Sequence, residues 1–387
     1  MRILLAAPSN SKSHGIAYGQ MYPLLRFRKT LKTELGVEIE HSVAYNLQDI
    51  GAACQRAAHR VSAFVIRPDY RVSVDDILQF CATLRATYPK HRIVMFDPWD
   101  QCTGKFLGVL PYVDALVKYQ TLKNRDDYYA EMEGGSVITD YVVRKRGIDL
   151  HGADVGSKVP EGYAQRIFTG PFLNMTRKLQ YELLKPRMWP FFPRQRTVDI
   201  VCHVSTGARN DPSYYRFHRL EAVAAIRALK DELVVRTSAE HDGERTVTRQ
   251  EYLRDMRLAR IVVSPFGWGE VSTRDYECAA FGNLLMRPNI DHVSVLPDIF
   301  VPGKTYVPLN WDFSDLPDKA RYYLAHWKEA ESIIENARQA CLKYYRNREY
   351  LNFIRDILDL PGRSHVLSNA KHASPGCDGL SMPANGD

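Results

Sequence analysis

One segment of the chain, residues 261–288, combines residue types and spacings that suit the binding of a diphosphate. Its sequence is IVVSPFGWGEVSTRDYECAAFGNLLMRP, and the β-branched residues at its start predict a buried strand that ends at Pro265. Ser272, followed three residues later by Asp275, has the spacing of a capping box, so a helix is predicted to begin there. A helix that begins after a strand and a glycine-rich loop, and that carries Arg274, presents backbone N–H groups and a cation to a phosphate.

The same segment resembles the donor-binding segment of GT-B glycosyltransferases, especially the CgeB-like and exostosin-like groups. In those families a glycine-rich loop leads into a helix that carries R-x-x-E, and a glycine and an apolar strand follow. Arg274, Glu277 and Gly282 stand at those positions here. Families with the wider E-x7-E pattern have a first glutamate eight residues before the second. That position is Gly269 in this chain and Glu270 follows it, which is a departure from the pattern of those retaining enzymes.

The resemblance implies that Glu277 accepts hydrogen bonds from ribose hydroxyls while Arg274 faces the diphosphate. A carboxylate accepts two donors at once, and a guanidinium presents a planar, permanently charged fork to phosphate. The alternative is a simple ion pair between the two, because residues three apart share one face of a helix. Glu270 is expected to bind a hydroxyl of the donor sugar, since a carboxylate beside the phosphates would repel them. The predicted donor-binding residues are Thr206, Gly207, Arg209, Phe266, Gly267, Trp268, Gly269, Glu270, Thr273, Arg274 and Glu277.

A second basic cluster follows the first predicted strand of the second domain. Thr206, Gly207 and Arg209 lie in the loop after that strand, and Arg216 and Arg219 lie in the next predicted helix. In GT-B folds this loop often lies against the diphosphate, which implies that a basic residue here neutralises the leaving group. Other glycosyltransferases give that electrostatic task to a metal ion, so no metal is expected here. The alternative for each arginine is a solvated surface charge.

Three residues of the first domain are candidate catalytic bases, namely Asp97, Asp100 and His14. The two aspartates follow a predicted strand in the sequence D-P-W-D, where a carboxylate can take the proton of an acceptor hydroxyl. Two carboxylates without a nearby histidine make a poor metal site, and Asp-Pro is also a common turn former. His14 lies in the loop after the first strand and titrates near neutral pH, although most loop histidines are simply exposed.

The composition is that of a globular protein of two ordinary domains. The 387 residues are 45% apolar and 25% charged, and no apolar run approaches the roughly 20 residues that span a bilayer. The first residues, MRILLAA, are interrupted by Pro8 and are too short for a signal peptide, which favours a cytoplasmic protein. Seven scattered cysteines without a C-x-x-C pair predict reduced thiols. The net charge of +7 suits an anionic substrate or membrane surface, without the dense basic face of a nucleic-acid-binding protein.

The hydrophobic pattern predicts an α/β protein of GT-B type, with two Rossmann-like, doubly wound domains that face a central cleft. In the first domain, strands are predicted at 3–6, 63–66, 92–96 and 115–119, and helices at 21–35, 50–61 and 74–86. Residues 128–171 show no clear periodicity. The predicted units are an acceptor domain (1–184), a linker (185–197), a donor domain (198–343), a C-terminal helix crossing back to the first domain (344–360) and a disordered tail (361–387).

The linker has a second interpretation. Trp189, Phe191 and Phe192 alternate with basic residues, a composition that also suits contact with an anionic membrane, in which the rings touch lipid and the arginines meet headgroups. A packed interdomain linker is the simpler interpretation, because its prolines restrict the backbone and end helices.

By this resemblance the chain is predicted to be a glycosyltransferase. It would move a sugar from a UDP- or GDP-linked donor to a hydroxyl of a glycan or lipid-linked acceptor, without a metal, in the synthesis of a surface polysaccharide or glycoconjugate. It would work in the cytoplasm, with peripheral contact to the inner face of the membrane if residues 185–196 bind lipid. Two alternatives are a nucleotide-sugar epimerase of the same fold and a GT-B-like binding protein without turnover.

Overall fold

The structure is a computed structural model that describes residues 1–8, 15–152, 154–171, 177–184, 196–206, 214–240 and 247–361. In chain order, the described part of the first domain forms β1 (Arg2–Ala7), α1 (Gly15–Arg26), α2 (Arg28–Leu35), β2 (Glu38–Val43), α3 (Leu47–Ala57), β3 (Ala63–Ile66), α4 (Val74–Thr87), β4 (Arg92–Phe96), β5 (Ala115–Lys118), β6 (Gln120–Leu122), α5 (Val137–Arg146), β7 (Ile167–Thr169) and α6 (Arg177–Leu184). The second domain and the end of the chain form β8 (Val198–Ser205), α7 (Tyr214–Arg227), β9 (Val235–Glu240), α8 (Arg249–Leu258), β10 (Ala259–Val263), α9 (Thr273–Phe281), β11 (Leu284–Pro288), β12 (Val293–Val295), β13 (Val307–Leu309), α10 (Leu316–Ala325), α11 (Trp327–Asn347) and α12 (Glu349–Ile357).

The first sheet is parallel and covered by helices on both faces. Its strand order is β2-β1-β3-β4-β5-β7. Successive side chains of a strand point to opposite faces. Leu4 and Phe64 therefore pack in one apolar cluster, whereas Ile3 and Val65 pack in another. Burial of both faces explains why these strands are continuously apolar in sequence.

The second sheet repeats this arrangement with the order β13-β11-β10-β8-β9, again with parallel pairs. Val201 and Val262 pack on one face, and Ile200 and Ile261 pack on the other. The predicted α/β fold of two Rossmann-like, doubly wound domains is therefore confirmed.

Among the elements that were missed at the sequence level are β2, α5 and β7. The strand β2 has the sequence EIEHSV and lies at an edge of the first sheet with half-exposed side chains, so it lacks the apolar run of a central strand. The helix α5 begins at Ser136, whose side chain accepts from the backbone N–H of Thr139, a capping box with threonine in place of glutamate. The strand β7 is only three residues long.

The domains also contact each other away from the linker. The strands β6 and β12 pair as an antiparallel ribbon, with Thr121 opposite Ser294, and the backbone N–H of Lys123 donates to the carbonyl of His292 at 2.8 Å. At the other side, α12 packs on the first sheet, where Phe353 lies edge-on to Phe96 with ring centroids 6.4 Å apart. The break before α12 falls at Arg348, which has a left-handed backbone conformation.

The six cysteines within the described residues are free and buried, and none of the described helices is long and apolar enough to cross a membrane. The predicted linker lies outside the described residues except for its last two, one of which is Arg196. This side chain donates to the carbonyls of Phe281 and Gly282, at 3.0 and 2.5 Å, where α9 ends.

A buried ion pair holds the base of the predicted helix. Arg287 on β11 contacts Asp275 of α9 at 2.8 Å, both side chains are about 1% exposed, and Asp275 also accepts from the backbone N–H of Ser272 at 2.6 Å. Arg287→Met leaves the Asp275 carboxylate buried without its cation, which costs about 3–5 kcal/mol in the free energy of unfolding. Urea denaturation followed by circular dichroism measures the loss. Arg321→Met, which breaks the exposed pair with Glu232, is the control and leaves the midpoint almost unchanged. Equal midpoints for the two variants would contradict the assignment of Arg287 as a structural cation.

Candidate active site

The predicted donor segment lies at the point where the order of the second sheet reverses. The strands β8 and β10 are neighbours there, and their following connections run in opposite directions along the sheet. Ligands of open α/β sheets bind in the crevice at the carboxyl ends of such strands. The loop 264–272 after β10 and the end of β8 border this crevice, which places the residues predicted for the donor in one region.

Two arginines converge at the end of β8. Arg274 donates from Nη2 to the carbonyl of His203 at 2.6 Å, and its buried Nε has no hydrogen-bond partner among the described residues. Arg219 donates from Nε to the carbonyl of Phe266 at 2.9 Å and from Nη1 to that of Ser205. Burial, followed by the Arg274 cation, lowers the pKa of Arg219 to about 10.

Neither guanidinium forms an ion pair with a carboxylate of a described residue, and both side chains are half-buried. Two cations held by backbone carbonyls, beside the N-terminus of α9, carry a positive charge that no described side chain neutralises. The arrangement suits an anionic ligand.

Glu277 is bound by α8 rather than by Arg274. Its Oε1 accepts from Arg249 at 2.7 Å and its Oε2 accepts from Tyr252 at 2.6 Å. The alternative interpretation of Arg274 and Glu277 as an i,i+3 ion pair is therefore wrong. Thr273 is the first residue of α9 and is half-buried.

Both glycines of the loop lie against protein atoms. A Cβ on Gly267 would collide with the guanidinium of Arg219, and a Cβ on Gly269 would collide with the carbonyl of Asp100 and the amide of Gln120. The first contact lies within the second domain and the second contact crosses to the first domain. The loop therefore needs glycine at both positions to fit between Arg219 and the first domain.

The other members of the predicted donor set are less exposed to the crevice. Phe266 is fully buried and stacks on His218 at a centroid distance of 4.8 Å. Thr206 is also buried, and Arg216 lies 3.5 Å from its hydroxyl. Gly207 and Arg209 lie outside the described residues, as does the candidate base His14.

Glu270 points into the first domain. Its side chain is 2% exposed, its Oε2 accepts from the backbone N–H of Cys102 at 2.9 Å, and its buried Oε1 has no partner within the described part of the chain. Burial raises the pKa of Glu270. In this structure the residue forms a contact between the domains.

The two aspartates of D-P-W-D have different environments. Asp97 is fully buried and forms an ion pair with the equally buried Lys118, so its carboxylate is already neutralised. Asp100 is half-buried, and no described residue hydrogen-bonds its carboxylate. Burial raises the pKa of Asp100 to about 6, against the lowering effect of the cations of Lys118 and Arg67. Of the two, Asp100 has the properties of a general base.

A closed set of contacts, which we call the domain seam, surrounds Asp100. Gln120 donates to the carbonyl of Asp100 and accepts from the backbone N–H of Val271 at 2.8 Å. Gln101 donates to the hydroxyl of Tyr214 at 2.8 Å, and this hydroxyl donates to the carbonyl of Trp268. The seam therefore places the candidate base of the first domain beside the glycine loop of the second.

Sequence reasoning missed the seam residues Gln101, Gln120 and Tyr214, and it missed Lys118, the partner of Asp97. Lys118 and Gln120 carried a usable signal, because Lys118 ends β5 and Gln120 follows two residues later, at the edge at which ligands of parallel sheets bind. Gln101 and Tyr214 carried none, since their partners lie more than a hundred residues away in sequence.

A cavity of about 490 Å³ lies between β9 and α8, and one of its lining residues, His203, accepts from Arg274 through its backbone carbonyl. Its volume falls within the range of ligand sites. The ring of His203 lies in its wall between Ser238 and Asp255, at 3.1 and 2.9 Å. The lining residues are His203, Val235, Arg236, Thr237, Ser238, Val247, Glu251, Arg254 and Asp255.

Residues 218–356 match a family model described as "Glycosyl transferase-like". The match runs from α7 into α12 and includes the glycine loop, Arg274 and Glu277. It confirms the predicted class of enzyme, a glycosyltransferase, without specifying the substrate. The CgeB-like or exostosin-like group stays a prediction.

Over most of its length the chain is also similar to solved structures. A glycosyltransferase from Rickettsia africae ESF-5 has 12% identity and a TM-score of 0.46, over 92% of this chain and 98% of that chain. S. aureus MnaA, solved with UDP, has 9% identity and a TM-score of 0.43, over 90% and 97%. A UDP-forming α,α-trehalose-phosphate synthase from Burkholderia xenovorans has 10% identity and a TM-score of 0.41, over 94% and 99%. A comparison with curated proteins finds no match.

The environment of Asp100 predicts the pH dependence of sugar transfer. A base must be unprotonated to take a proton, and the raised pKa of Asp100 makes the rate increase as pH rises through about 6 and level off above it. Asp100→Asn removes the base and lowers kcat by about 100-fold or more. The measurement is nucleotide release against pH, with Asp312→Asn as the control, because Asp312 is a half-buried turn residue whose carboxylate accepts from Ser314. If Asp100→Asn kept the wild-type profile, another group would be the base.

Proposed function

We propose that the protein transfers a glycosyl group from a UDP- or GDP-linked sugar to a hydroxyl of a glycan or lipid-linked acceptor, without a metal ion. The observation that carries this proposal is the pair Arg219 and Arg274, two guanidiniums at the switch point of the second sheet that no carboxylate of the described residues pairs with. The family match over the same region supports the class of reaction.

The diphosphate of the donor would lie against Arg219, Arg274 and the N-terminus of α9. As the bond from the anomeric carbon to the diphosphate breaks, negative charge grows on the leaving oxygen. Fixed guanidiniums stabilise this charge more in the transition state than in the bound donor, which is the condition for catalysis. The buried Nε of Arg274, to which no described residue offers an acceptor, is a donor for this purpose.

The nucleoside would occupy the cavity between β9 and α8. The carbonyl of His203 holds Arg274, and the ring of the same residue lines the cavity, so the cavity begins where the phosphate site ends. Glu277 is joined to α8 through Arg249 and Tyr252, which places its carboxylate close to the helix that forms one wall. This arrangement supports a role for Glu277 near the ribose.

Asp100 would accept the proton of the acceptor hydroxyl. The freed oxygen would attack the anomeric carbon, and the nucleoside diphosphate would leave with the electron pair of the broken bond. The domain seam supports this role, because it holds Asp100 against the loop that borders the donor site. Burial of the seam also limits the access of water, which would otherwise hydrolyse the donor.

The setting of the reaction stays a prediction from the sequence. We predict that the enzyme works in the cytoplasm, in the synthesis of a surface polysaccharide or glycoconjugate, and that it does not bind nucleic acid. We also predict contact with an anionic membrane through residues 185–196, which lie outside the described residues except for Arg196.

Removal of either arginine tests the donor site. Arg274→Ala and Arg219→Ala each lose charge-assisted hydrogen bonds to phosphate, and we expect each to weaken the binding of UDP or GDP by about 10- to 100-fold. Arg274→Lys keeps the charge but loses the planar fork of donors, so its affinity for UDP or GDP is expected to lie between those of wild type and Arg274→Ala. Isothermal titration calorimetry measures the affinities. Arg260→Ala is the control, because Arg260 lies near the opposite end of β10, with its guanidinium over Trp327. Equal affinities for all the variants would reject the donor site.

The alternatives give different products. An epimerase would convert the donor to an isomeric free nucleotide sugar without any acceptor, and a binding protein would hold the donor unchanged. Incubation of the wild-type protein with UDP- and GDP-sugars, with and without saccharide acceptors, separates the three by chromatography of nucleotides and sugars.

A further inference from the structure

Trp268 is the exposed aromatic residue of the glycine loop. Its side chain is 47% exposed, whereas Phe266, two residues before it, is fully buried against His218 and Trp311. An exposed indole buries little apolar surface in the core, so packing alone does not explain its position on this loop.

The indole is held firmly despite its exposure. The hydroxyl of Tyr214 donates to the backbone carbonyl of Trp268, and the ring of Tyr215 lies below the indole at a centroid distance of 5.3 Å. The glycines on each side leave no room for a Cβ against Arg219 and Asp100, which fixes the backbone that carries the ring. A fixed aromatic face loses little conformational entropy when a ligand stacks on it.

The loop has two sides, and Trp268 stands between them. Gly267 lies against Arg219, one of the two cations of the donor site, and Gly269 lies against the carbonyl of Asp100, the candidate base. Gln101, the residue after Asp100, donates to the hydroxyl of Tyr214, which in turn donates to the carbonyl of Trp268. The indole therefore lies between the donor site, which contains Arg219, and the place beside Asp100 where an acceptor would bind.

We propose that Trp268 is the stacking platform for the acceptor, and that the acceptor presents a saccharide ring there. One face of a sugar ring is formed by C–H groups, which suit the negative face of an indole, while its hydroxyls remain free for hydrogen bonds. A ring stacked on Trp268 directs a hydroxyl towards Asp100. This inference rests on the proposed function and moves Trp268 from the donor set, in which the sequence placed it, to the acceptor set.

The test separates the acceptor from the donor. Trp268→Ala raises the acceptor KM by about 10-fold or more, while the donor KM, the affinity for UDP or GDP and the slow hydrolysis of the donor without acceptor stay within about twofold. Trp268→Phe keeps an aromatic face and restores most of the acceptor affinity. Tyr322→Ala, which removes a ring that is 45% exposed on α10, is the matched control and leaves both KM values unchanged. Thermal unfolding of each variant shows that the fold is kept.

Three results would overturn the inference. One is an unchanged acceptor KM in Trp268→Ala. Another is a raised donor KM with an unchanged acceptor KM, which would return Trp268 to the donor site. The third is equal use of simple alcohols and saccharides as acceptors by the wild-type protein. Failure of the proposed function gives a different result, since nucleotides would then bind Arg274→Ala as well as wild type and no transfer would occur at all.

Discussion

The close contact of Gly269 with the carbonyl of Asp100 is the constraint on which the arrangement of the site depends. Each domain contributes half of the candidate site: the second has two guanidiniums that no described carboxylate pairs with, and the first has a carboxyl group with a raised pKa. Only glycine at position 269 lets the loop of the second domain touch the carbonyl of Asp100, because a Cβ there would collide with it. Gln120 then uses both ends of its amide to fasten them, and the ribbon of β6 and β12 fixes the same side of the domains.

The distribution of buried charge distinguishes structural residues from candidate functional ones. Asp97 with Lys118, and Asp275 with Arg287, are closed pairs in which each charge is compensated at full burial. Arg219, Arg274 and Asp100 are the opposite case, because no described side chain of opposite charge pairs with them. Uncompensated charge is costly to keep in a folded protein, and such groups are typical of sites that a ligand completes.

The sequence was sufficient to predict those elements whose boundaries are set by neighbouring residues. The segment 261–288 folds as β10, loop, α9 and β11, because a β-branched run, a cap at Ser272 and a left-handed Gly282 are all read within a few residues. It was insufficient to predict the contacts that form where two loops distant in sequence meet. Asp97 and Asp100 are equivalent in the sequence D-P-W-D, and only the buried Lys118 on β5 tells them apart. Gln120 and Val271 gave no sign of their pairing, since no pattern within one domain specifies the face of another.

The burial that raises the pKa of Asp100, the candidate base, also opposes the seam. Glu270 and Asp100 both have raised pKa values, Glu270 with one oxygen unpartnered, so their charged forms are less stable in the closed seam than in water. For a carboxyl group whose pKa is raised on folding, protonation favours the buried state, and that contribution is lost as pH rises through the raised value. The proposed role of Asp100 as a base requires the opposite state, with its charge present. The neutral hydrogen bonds of Gln120, Gln101 and the ribbon do not depend on the charge of Asp100, so they hold the seam together at a pH where its carboxyl group is ionised.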